Sequence, residues 1–199
     1  MPSKTEALTR EDWIKGGFRA LTTGGPEAVK IEKIAREMKV SKGSFYWHFK
    51  DQAALKSAMM SHWEAWGTQA IIDRNEEREL SPKEKLQDLS ARITNSRDAA
   101  SGGLHYGGLM MEAAIRDWSR FDKNVRSSVR KVNSTRLDYI AKLFAQLGLN
   151  ADQSKLKANL LYSSMIGLEF LEHQKLADLE SDLSELLTLF LCNGDDTGG

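Results

Sequence analysis

Five side chains of different chemistry are crowded into seven residues in the first quarter of the chain. They supply an ammonium, a hydroxyl, a phenol, an indole and an imidazole, on Lys42, Ser44, Tyr46, Trp47 and His48. Groups of these kinds donate hydrogen bonds to phosphate oxygens and to the base edges in the grooves of DNA. The segment therefore predicts a surface that contacts duplex DNA.

The apolar residues of this segment predict the elements that hold it. Phe45 and Phe49 lie four residues apart, so on a helix they share one face, which we expect to point into the core. Residues 42–49 are predicted to form a short helix, preceded by another over residues 31–38 and a tight turn at 39–41. Two short helices joined by such a turn are typical of a helix-turn-helix.

Apolar residues recur at helical spacing along almost the whole chain, and only three of the 199 residues are proline. Helix starts are marked by Thr9 with Asp12, and by Ser81 with Pro82 and Glu84. The pattern predicts an all-α protein of about nine helices. The longer ones are predicted over residues 51–74, 81–100, 106–120, 122–147, 152–174 and 179–192.

The composition is ordinary for a globular protein, with 41% hydrophobic and 28% charged residues and a net charge of zero. Residues 1–57 hold eleven Lys and Arg against seven Asp and Glu, so this part is basic and suits contact with phosphate. There is no secretory signal pattern, and no apolar run of the roughly 18 residues that cross a bilayer. With a single cysteine, Cys192, these features favour a cytoplasmic protein without membrane contact.

An enzymatic function finds little support in the sequence. The four histidines, at positions 48, 62, 105 and 173, are scattered and have no metal-binding spacing. The glycine pairs at 102–103 and 107–108 do not follow a strand, as dinucleotide-binding loops do. We therefore expect no catalytic residues, no metal site and no cofactor.

The N-terminal segment resembles the DNA-binding domain of the tetracycline-repressor (TetR) family of transcriptional regulators. The resemblance covers roughly residues 9–57 and is carried by Ile34-Ala35 and by Val40-Ser41-Lys42-Gly43-Ser44-Phe45-Tyr46-Trp47-His48-Phe49. It implies a homodimer whose two heads enter successive major grooves of a palindromic operator. It also implies a C-terminal domain that binds a small-molecule effector of unknown identity, and a repressor that this ligand releases from DNA.

The resemblance implies roles for individual residues. Tyr46 and His48 are expected to bind phosphate oxygens, while Lys42 and Gly43 are expected to reach base edges. The full predicted DNA-binding set is Lys30, Lys42, Gly43, Ser44, Tyr46, Trp47, His48 and Lys50.

Three residues depart from the family pattern. Lys39 stands where glycine is usual, because the turn prefers a left-handed residue, and lysine there should cost about 1 kcal/mol. Lys30 stands where a capping threonine or serine is common. Gln52 replaces a lysine that usually touches phosphate, and the neighbouring Lys50 could restore that charge.

Aromatic residues and methionines on the C-terminal helices predict an adaptable apolar pocket for the effector. The candidate ligand-binding residues are Trp63, Trp66, Met111, Ile115, Trp118, Phe144, Tyr162, Met165 and Glu169. The alternative for each apolar member is ordinary core packing, and for Glu169 a solvated or paired charge.

Two leucine-rich stripes predict a four-helix interface between two copies of the chain. One stripe is Leu156, Leu160, Ser164, Gly167, Leu168 and Leu171; the other is Leu179, Leu183, Leu186, Leu187 and Phe190. Burial of both stripes inside the monomer is the alternative.

The predicted organisation is a DNA-binding head over residues 1–52, a helical ligand-binding and dimerisation domain over 53–193, and a disordered tail over 194–199. A helical interaction protein that has lost DNA binding is the alternative function. A salt-dependent affinity for DNA would discriminate between the two.

Overall fold

The structure is a computed structural model that describes residues 8–95 and 110–192. Within these ranges every regular element is helical, which confirms the predicted all-α fold. The helices are α1 (Arg10–Gly24), α2 (Ile31–Glu37), α3 (Lys42–Phe45), α4 (Gln52–Glu64), α5 (Ala70–Glu77), α6 (Pro82–Asn95), α7 (Met110–Trp118), α8 (Lys123–Gln146), α9 (Ala151–His173) and α10 (Leu179–Cys192). A short 3₁₀ turn, Pro26–Ala28, follows α1. A π-helical segment, Ala65–Gln69, follows α4 and precedes α5. The sequence predicts this stretch as one helix, and counted in that way the described ranges hold nine helices.

Helix starts follow the capping signals of the sequence. The Thr9 hydroxyl accepts a hydrogen bond from the Asp12 N–H at 3.2 Å, and the Asp12 carboxylate accepts one from the Thr9 N–H at 2.8 Å. Ser81 and Glu84 exchange the same two bonds, at 3.3 and 2.8 Å. Each pair satisfies N–H groups that the first turn of a helix leaves without partners, an arrangement worth about 1 kcal/mol.

The helix that carries the predicted DNA-contacting residues is shorter than predicted. The α3 helix ends at Phe45, and residues 46–48 form a turn, whereas the sequence predicts a helix to Phe49. The five consecutive aromatic or imidazole side chains of residues 45–49 have only moderate helix propensity, so the chain tightens here into a turn in which the His48 N–H bonds the Phe45 carbonyl at 2.9 Å. The Phe49 N–H also bonds the Phe45 carbonyl, at 3.0 Å, so the two rings keep their one-turn separation.

The described residues divide into two compact units. The first comprises the described residues of 1–65 and 96–129, and the second those of 66–95 and 130–199. The first unit thus contains α7 and the start of α8 as well as the predicted head. The functional boundary predicted at residue 52 stays a prediction, and the predicted tail at 194–199 lies outside the described residues.

The first unit has an aromatic core. Its largest fully buried side chains come from α1 to α4 and from α7; they are Trp13, Phe18, Leu21, Ile34, Phe45, Leu55, Met59, Trp63 and Ile115. The α7 helix packs against α1. The Trp63 indole N–H donates to the Glu112 carboxylate at 2.7 Å, and the Lys56 ammonium lies 5.3 Å from the Trp118 ring centre. These contacts tie α7 to the helices of the head and to α4.

Two adjacent glycines let α1 approach its neighbours closely. A Cβ atom on Gly16 would lie 2.8 Å from Cγ2 of Ile34 on α2, and one on Gly17 would lie 2.6 Å from Sδ of Met59 on α4. Non-bonded carbon atoms prefer about 3.5–4.0 Å, so a side chain at either position would push the helices apart. The glycines therefore set the spacing on which the placement of α3 depends.

The second unit has a core of its own, formed by α6, α8, α9 and α10. Its buried side chains are Leu86, Tyr139, Leu143, Phe144, Ala158, Leu161, Leu179, Leu183 and Leu187. At its edge the Glu76 carboxylate accepts hydrogen bonds from the Tyr139 hydroxyl at 2.7 Å and the Lys142 ammonium at 3.1 Å. The Tyr139 and Lys142 hydrogen bonds hold the pKa of Glu76 down to about 2.

A single arginine accounts for the local geometry of the π-helical segment. Arg136 of α8 donates to the Gly67 carbonyl at 2.9 Å, to the Thr68 hydroxyl at 3.1 Å and to the Tyr162 hydroxyl at 3.2 Å. A π turn widens the helix by one residue and releases a carbonyl from the ordinary pattern, and a guanidinium satisfies that carbonyl well. The sequence pattern predicts an uninterrupted helix here. It could not reveal the π-helical segment, because the contact that stabilises the segment comes from a residue 69 positions away. None of the described helices has both the length and the apolar character needed to cross a membrane.

Candidate nucleic-acid interface

Two phenylalanines anchor α3 and the turn that follows it. Phe45 is fully buried and Phe49 nearly so, which confirms the predicted inward face. Their rings stack with centres 5.4 Å apart, and the edge of Trp13 meets Phe45 at 5.1 Å. Offset and edge-to-face pairs of this kind add about 0.5–1.5 kcal/mol to the burial of the rings. The α3 backbone is therefore held firmly while its other side faces solvent.

The predicted DNA-contacting side chains lie on that outer side or beside it. Trp47 is 87% exposed and Tyr46 53% exposed. Most of the other predicted members are also exposed, and Ser44 and His48 are half-buried; the exposed ones are Lys30, Lys42, Gly43 and Lys50. An indole left almost wholly in water is unusual, because large aromatic side chains normally bury most of their surface. This exposure makes the surface a candidate contact site.

Nothing in the fold explains the glycine at position 43. Its backbone has ordinary helical geometry, and a Cβ atom there would have only the Ser41 hydroxyl within 4 Å, at 3.7 Å. Glycine inside a helix costs about 1 kcal/mol relative to alanine. A residue that costs stability and fills no packing need is consistent with close approach of a partner to the backbone.

Lys42 is joined to an acidic residue that the sequence reasoning missed. Its ammonium forms an ion pair with the carboxylate of Glu32, in the first turn of α2, and both side chains are exposed. The Glu32 carboxylate raises the pKa of Lys42, and the hydrogen bond from Lys42 lowers the pKa of Glu32. The partners lie ten residues apart, so only the fold, which brings the starts of α2 and α3 together, reveals the pair.

The turn between α2 and α3 has the left-handed residue that the sequence predicts. Lys39 has φ of 57°. Its N–H bonds the Arg36 carbonyl at 3.2 Å, and the Val40 N–H bonds the Ala35 carbonyl at 2.9 Å. This pair of bonds is a Schellman motif, which normally places glycine at the left-handed position.

The two flanking departures are also visible. Lys30 precedes α2 and makes no side-chain capping bond, so the first N–H groups of that helix lack the usual hydroxyl. At the start of α4 the Asp51 carboxylate accepts a hydrogen bond from the Ala54 N–H at 2.8 Å, with Gln52 as the first helical residue. Lys50 lies exposed just before it.

The nine predicted ligand-binding residues fall into both compact units. Four belong to the first unit and are buried in its packing: Trp63, Met111, Ile115 and Trp118. Five belong to the second unit: Trp66, Phe144, Tyr162, Met165 and Glu169.

The members in the second unit have different environments. Phe144 is fully buried in the core, and Tyr162 is buried with its hydroxyl donating to the Asn133 side chain at 2.9 Å. Trp66 is partly exposed, while Met165 and Glu169 are half-buried. Core packing thus accounts for several of the nine, and a ligand role for any of them stays a prediction.

One of the two predicted leucine stripes is only partly covered by the second unit, since Leu168 packs against its core while other members are exposed. We call it the α9 face; it consists of Leu156, Leu160, Ser164, Gly167, Leu168 and Leu171. Leu156 is 58% exposed and Leu160 45% exposed. Next to them α9 and α10 border an open hollow of about 350 Å³, lined by Ser164, Gly167, Leu168, Leu171, Asp182 and Leu186.

The second stripe differs from the prediction. Leu179, Leu183 and Leu187 are buried in the core of the second unit, so they are not available to another copy of the chain. Leu186 and Phe190 are half-buried and pack at the edge of that core. The reason is that α10 uses its most regular apolar face against α6 and α9.

Comparisons with known proteins find a matching family profile and several structures of similar fold. Residues 14–59 match the profile of the bacterial regulatory proteins of the tetR family. A TetR transcriptional regulator from Legionella pneumophila has a TM-score of 0.74 at 17% identity, over 95% of this chain and 98% of its own. The regulatory protein TetR from Rhodobacter sphaeroides has a TM-score of 0.65 at 20% identity, over 94% and 97%.

A third structure carries a ligand. The transcriptional regulator FadR from Bacillus subtilis, solved in complex with stearoyl-CoA, has a TM-score of 0.65 at 15% identity, over 92% of this chain and 98% of its own. Identities this low compare folds rather than functions. No curated protein matches the chain significantly.

Proposed function

We propose that this chain is a transcriptional repressor of the TetR family. Residues 14–59 match the family profile, and the chain has the fold of such regulators over nearly its whole length. It binds a palindromic operator as a homodimer, and a small-molecule ligand releases it. The observation that carries the proposal is the row of exposed polar and aromatic side chains on α3 and its following turn, held outward by Phe45 and Phe49.

The side chains of that row have different roles in DNA binding. Tyr46 and His48 bind phosphate oxygens and fix the position of α3 in the major groove, with Lys30 and Lys50 adding charge at its edges. Lys42 reaches a base edge, Gly43 lets the backbone come close, and Ser44 and Trp47 lie beside them.

The α9 face supports a homodimer. Contiguous exposed leucines are unusual on a monomer, and a glycine and a serine among them allow another helix to approach closely. Two copies related by a two-fold axis would bury this face against itself and set the distance between the two heads. A palindromic operator has half-sites about 34–36 Å apart, so this distance decides whether both heads bind.

Release by a ligand follows from the same geometry. A small molecule that binds preferentially to a form with a different head spacing lowers operator affinity without touching the DNA surface. The predicted pocket residues are mainly apolar, which is consistent with an effector that has a substantial apolar part. One protein of this fold, the Bacillus subtilis regulator, was solved with stearoyl-CoA. The site of action is the cytoplasm.

Selection of bound sequences from a random duplex library, followed by titration at two salt concentrations, tests the proposal. We expect a palindrome bound with a steep salt dependence. The double variant Lys42→Ala with Tyr46→Ala should weaken operator binding by roughly ten-fold or more, since good base contacts are each worth about 1–3 kcal/mol. The control is Lys155→Ala, which removes one of the same charges from an exposed position on α9.

A second variant separates binding from folding. Gly43→Ala should leave the thermal stability of the protein unchanged or slightly raised, because alanine fits at that position and favours a helix. It should nevertheless weaken operator binding if the backbone approaches the DNA. A folded, dimeric wild-type protein that selects no sequence, or variants that bind as the wild type does, would favour the alternative of a helical interaction protein.

A further inference from the structure

The Glu32–Lys42 pair lies where the proposed DNA surface should be most basic. Lys42 is the first residue of α3, and Glu32 is the second residue of α2, so the pair joins the two helix starts. A carboxylate at this point is repelled by DNA phosphates and lowers affinity for every sequence. Glu32 lies in the first turn of α2, where a carboxylate is favourable for the helix. A base edge that binds both groups would offset the repulsion from phosphate, and only some sequences provide one.

Base edges offer such an interaction. In the major groove a guanine presents acceptors at O6 and N7, and a cytosine presents a donor at N4. The O6 and N4 groups of one G·C pair lie side by side, because they hydrogen-bond to each other. An ammonium and a carboxylate held within hydrogen-bonding distance present a donor beside an acceptor, which is the complementary pattern.

We propose that Glu32 and Lys42 together read one G·C base pair in each half-site, Lys42 donating to guanine and Glu32 accepting from the N4 amino group of the paired cytosine. The inference rests on the proposed function and adds Glu32 as a specificity-determining residue. It also explains the ion pair in the DNA-free protein, where each group satisfies the other until the base pair replaces both contacts.

The donor of Lys42 beside the acceptor of Glu32 distinguishes G·C from the other three base pairs. C·G and A·T present the donor and the acceptor in the opposite order, so the ammonium would face an amino group and the carboxylate an oxygen. T·A has the same order, but the thymine methyl group lies on the side where guanine offers N7 as a second acceptor for lysine. Each of these replacements should weaken wild-type binding on the order of ten-fold per base pair.

The experiment compares operators selected by the wild type, Glu32→Gln, Glu32→Ala and Glu37→Gln from one random duplex library. Glu37→Gln is the matched control, because it removes the same charge from another exposed glutamate of α2. Glu32 and Glu37 are both exposed, and thermal unfolding checks that each variant is folded.

We expect both Glu32 variants to show a weaker preference for G·C at one position of each half-site and to keep their base preferences elsewhere. The effect should be larger for Glu32→Ala than for Glu32→Gln, because the glutamine amide keeps one acceptor oxygen, while Lys42 still donates to guanine in both. Replacing that pair by C·G should then cost the variants roughly three-fold or less, against about ten-fold for the wild type and for Glu37→Gln. The affinity for unrelated DNA should rise slightly in all three variants, since each lacks one negative charge.

Two failures are distinguishable. A wild-type protein that selects no operator would overturn the proposed function and the inference together. A wild-type operator whose base preferences are unchanged in both Glu32 variants would overturn the inference alone, and would leave Glu32 as a charge that only lowers affinity.

Discussion

The lysine with left-handed backbone conformation between α2 and α3 predicts that a substitution by glycine stabilises the protein, whereas glycine substitutions usually destabilise. Lys39 is exposed and has φ of 57°, in a turn closed by bonds from its own N–H and from the Val40 N–H. An L-residue in this conformation costs roughly 1–2 kcal/mol relative to glycine. Part of this gain is offset, by about 0.5–1 kcal/mol, because glycine has more conformational freedom than lysine in the unfolded chain and loses it on folding. We therefore expect Lys39→Gly to raise the free energy of unfolding by about 0.5–1 kcal/mol.

Hydrogen exchange of the α2 and α3 amides measures this effect where it arises, with thermal unfolding as a second assay. Glu37→Gly is the control, since it puts glycine two residues earlier, at the last residue of α2, and should destabilise by about 0.5–1 kcal/mol. Lys39→Ala removes the same charge but keeps a Cβ atom, so it should bring no stabilisation. If Lys39→Gly lowered stability as Glu37→Gly does, the strain assigned to this turn would be wrong.

Two further predictions concern the second unit. The pKa of Glu76 is lowered to about 2 from an ordinary 4.5 by its hydrogen bonds, so the stabilisation it contributes is present above about pH 4.5 and is lost as the pH falls through about 2. Urea unfolding of Glu76→Gln should accordingly show a deficit at pH 7 that disappears near pH 2, and a deficit independent of pH would contradict the assignment. Leu160→Glu places a charge on the α9 face and should convert a dimer into a monomer in sedimentation velocity, whereas Phe121→Glu, at an exposed hydrophobic residue of the first unit, should leave the dimer intact. Dimers that persist in the Leu160 variant would exclude this face as the interface.

Features that depend on neighbours in the sequence could be predicted from it. The hydroxyl of Thr9 and the carboxylate of Asp12 meet because they are one helical turn apart, and the same holds for Ser81 and Glu84. The inward face of Phe45 and Phe49 follows from their spacing alone. The left-handed conformation of Lys39 could be predicted because the turn type demands it.

Features that depend on tertiary contacts could not. The π-helical segment becomes intelligible only through Arg136, which reaches the Gly67 carbonyl from α8. The Glu32–Lys42 pair requires α2 and α3 to be placed against each other. Periodicity showed that α10 is amphipathic, but it could not show that Leu183 is covered by the same chain rather than by a second copy.

The division of the chain also bears on modular engineering. The compact unit that contains the predicted head also includes α7, which begins 58 positions after residue 52 and supplies the Glu112 partner of Trp63. A chimera cut after residue 65 would carry the recognition surface but expose Trp63 and the α1 surface that α7 covers. The transferable unit is discontinuous in sequence, so grafting this specificity onto another regulator means exchanging two segments, or exchanging the surface residues of α3 together with Glu32 of α2.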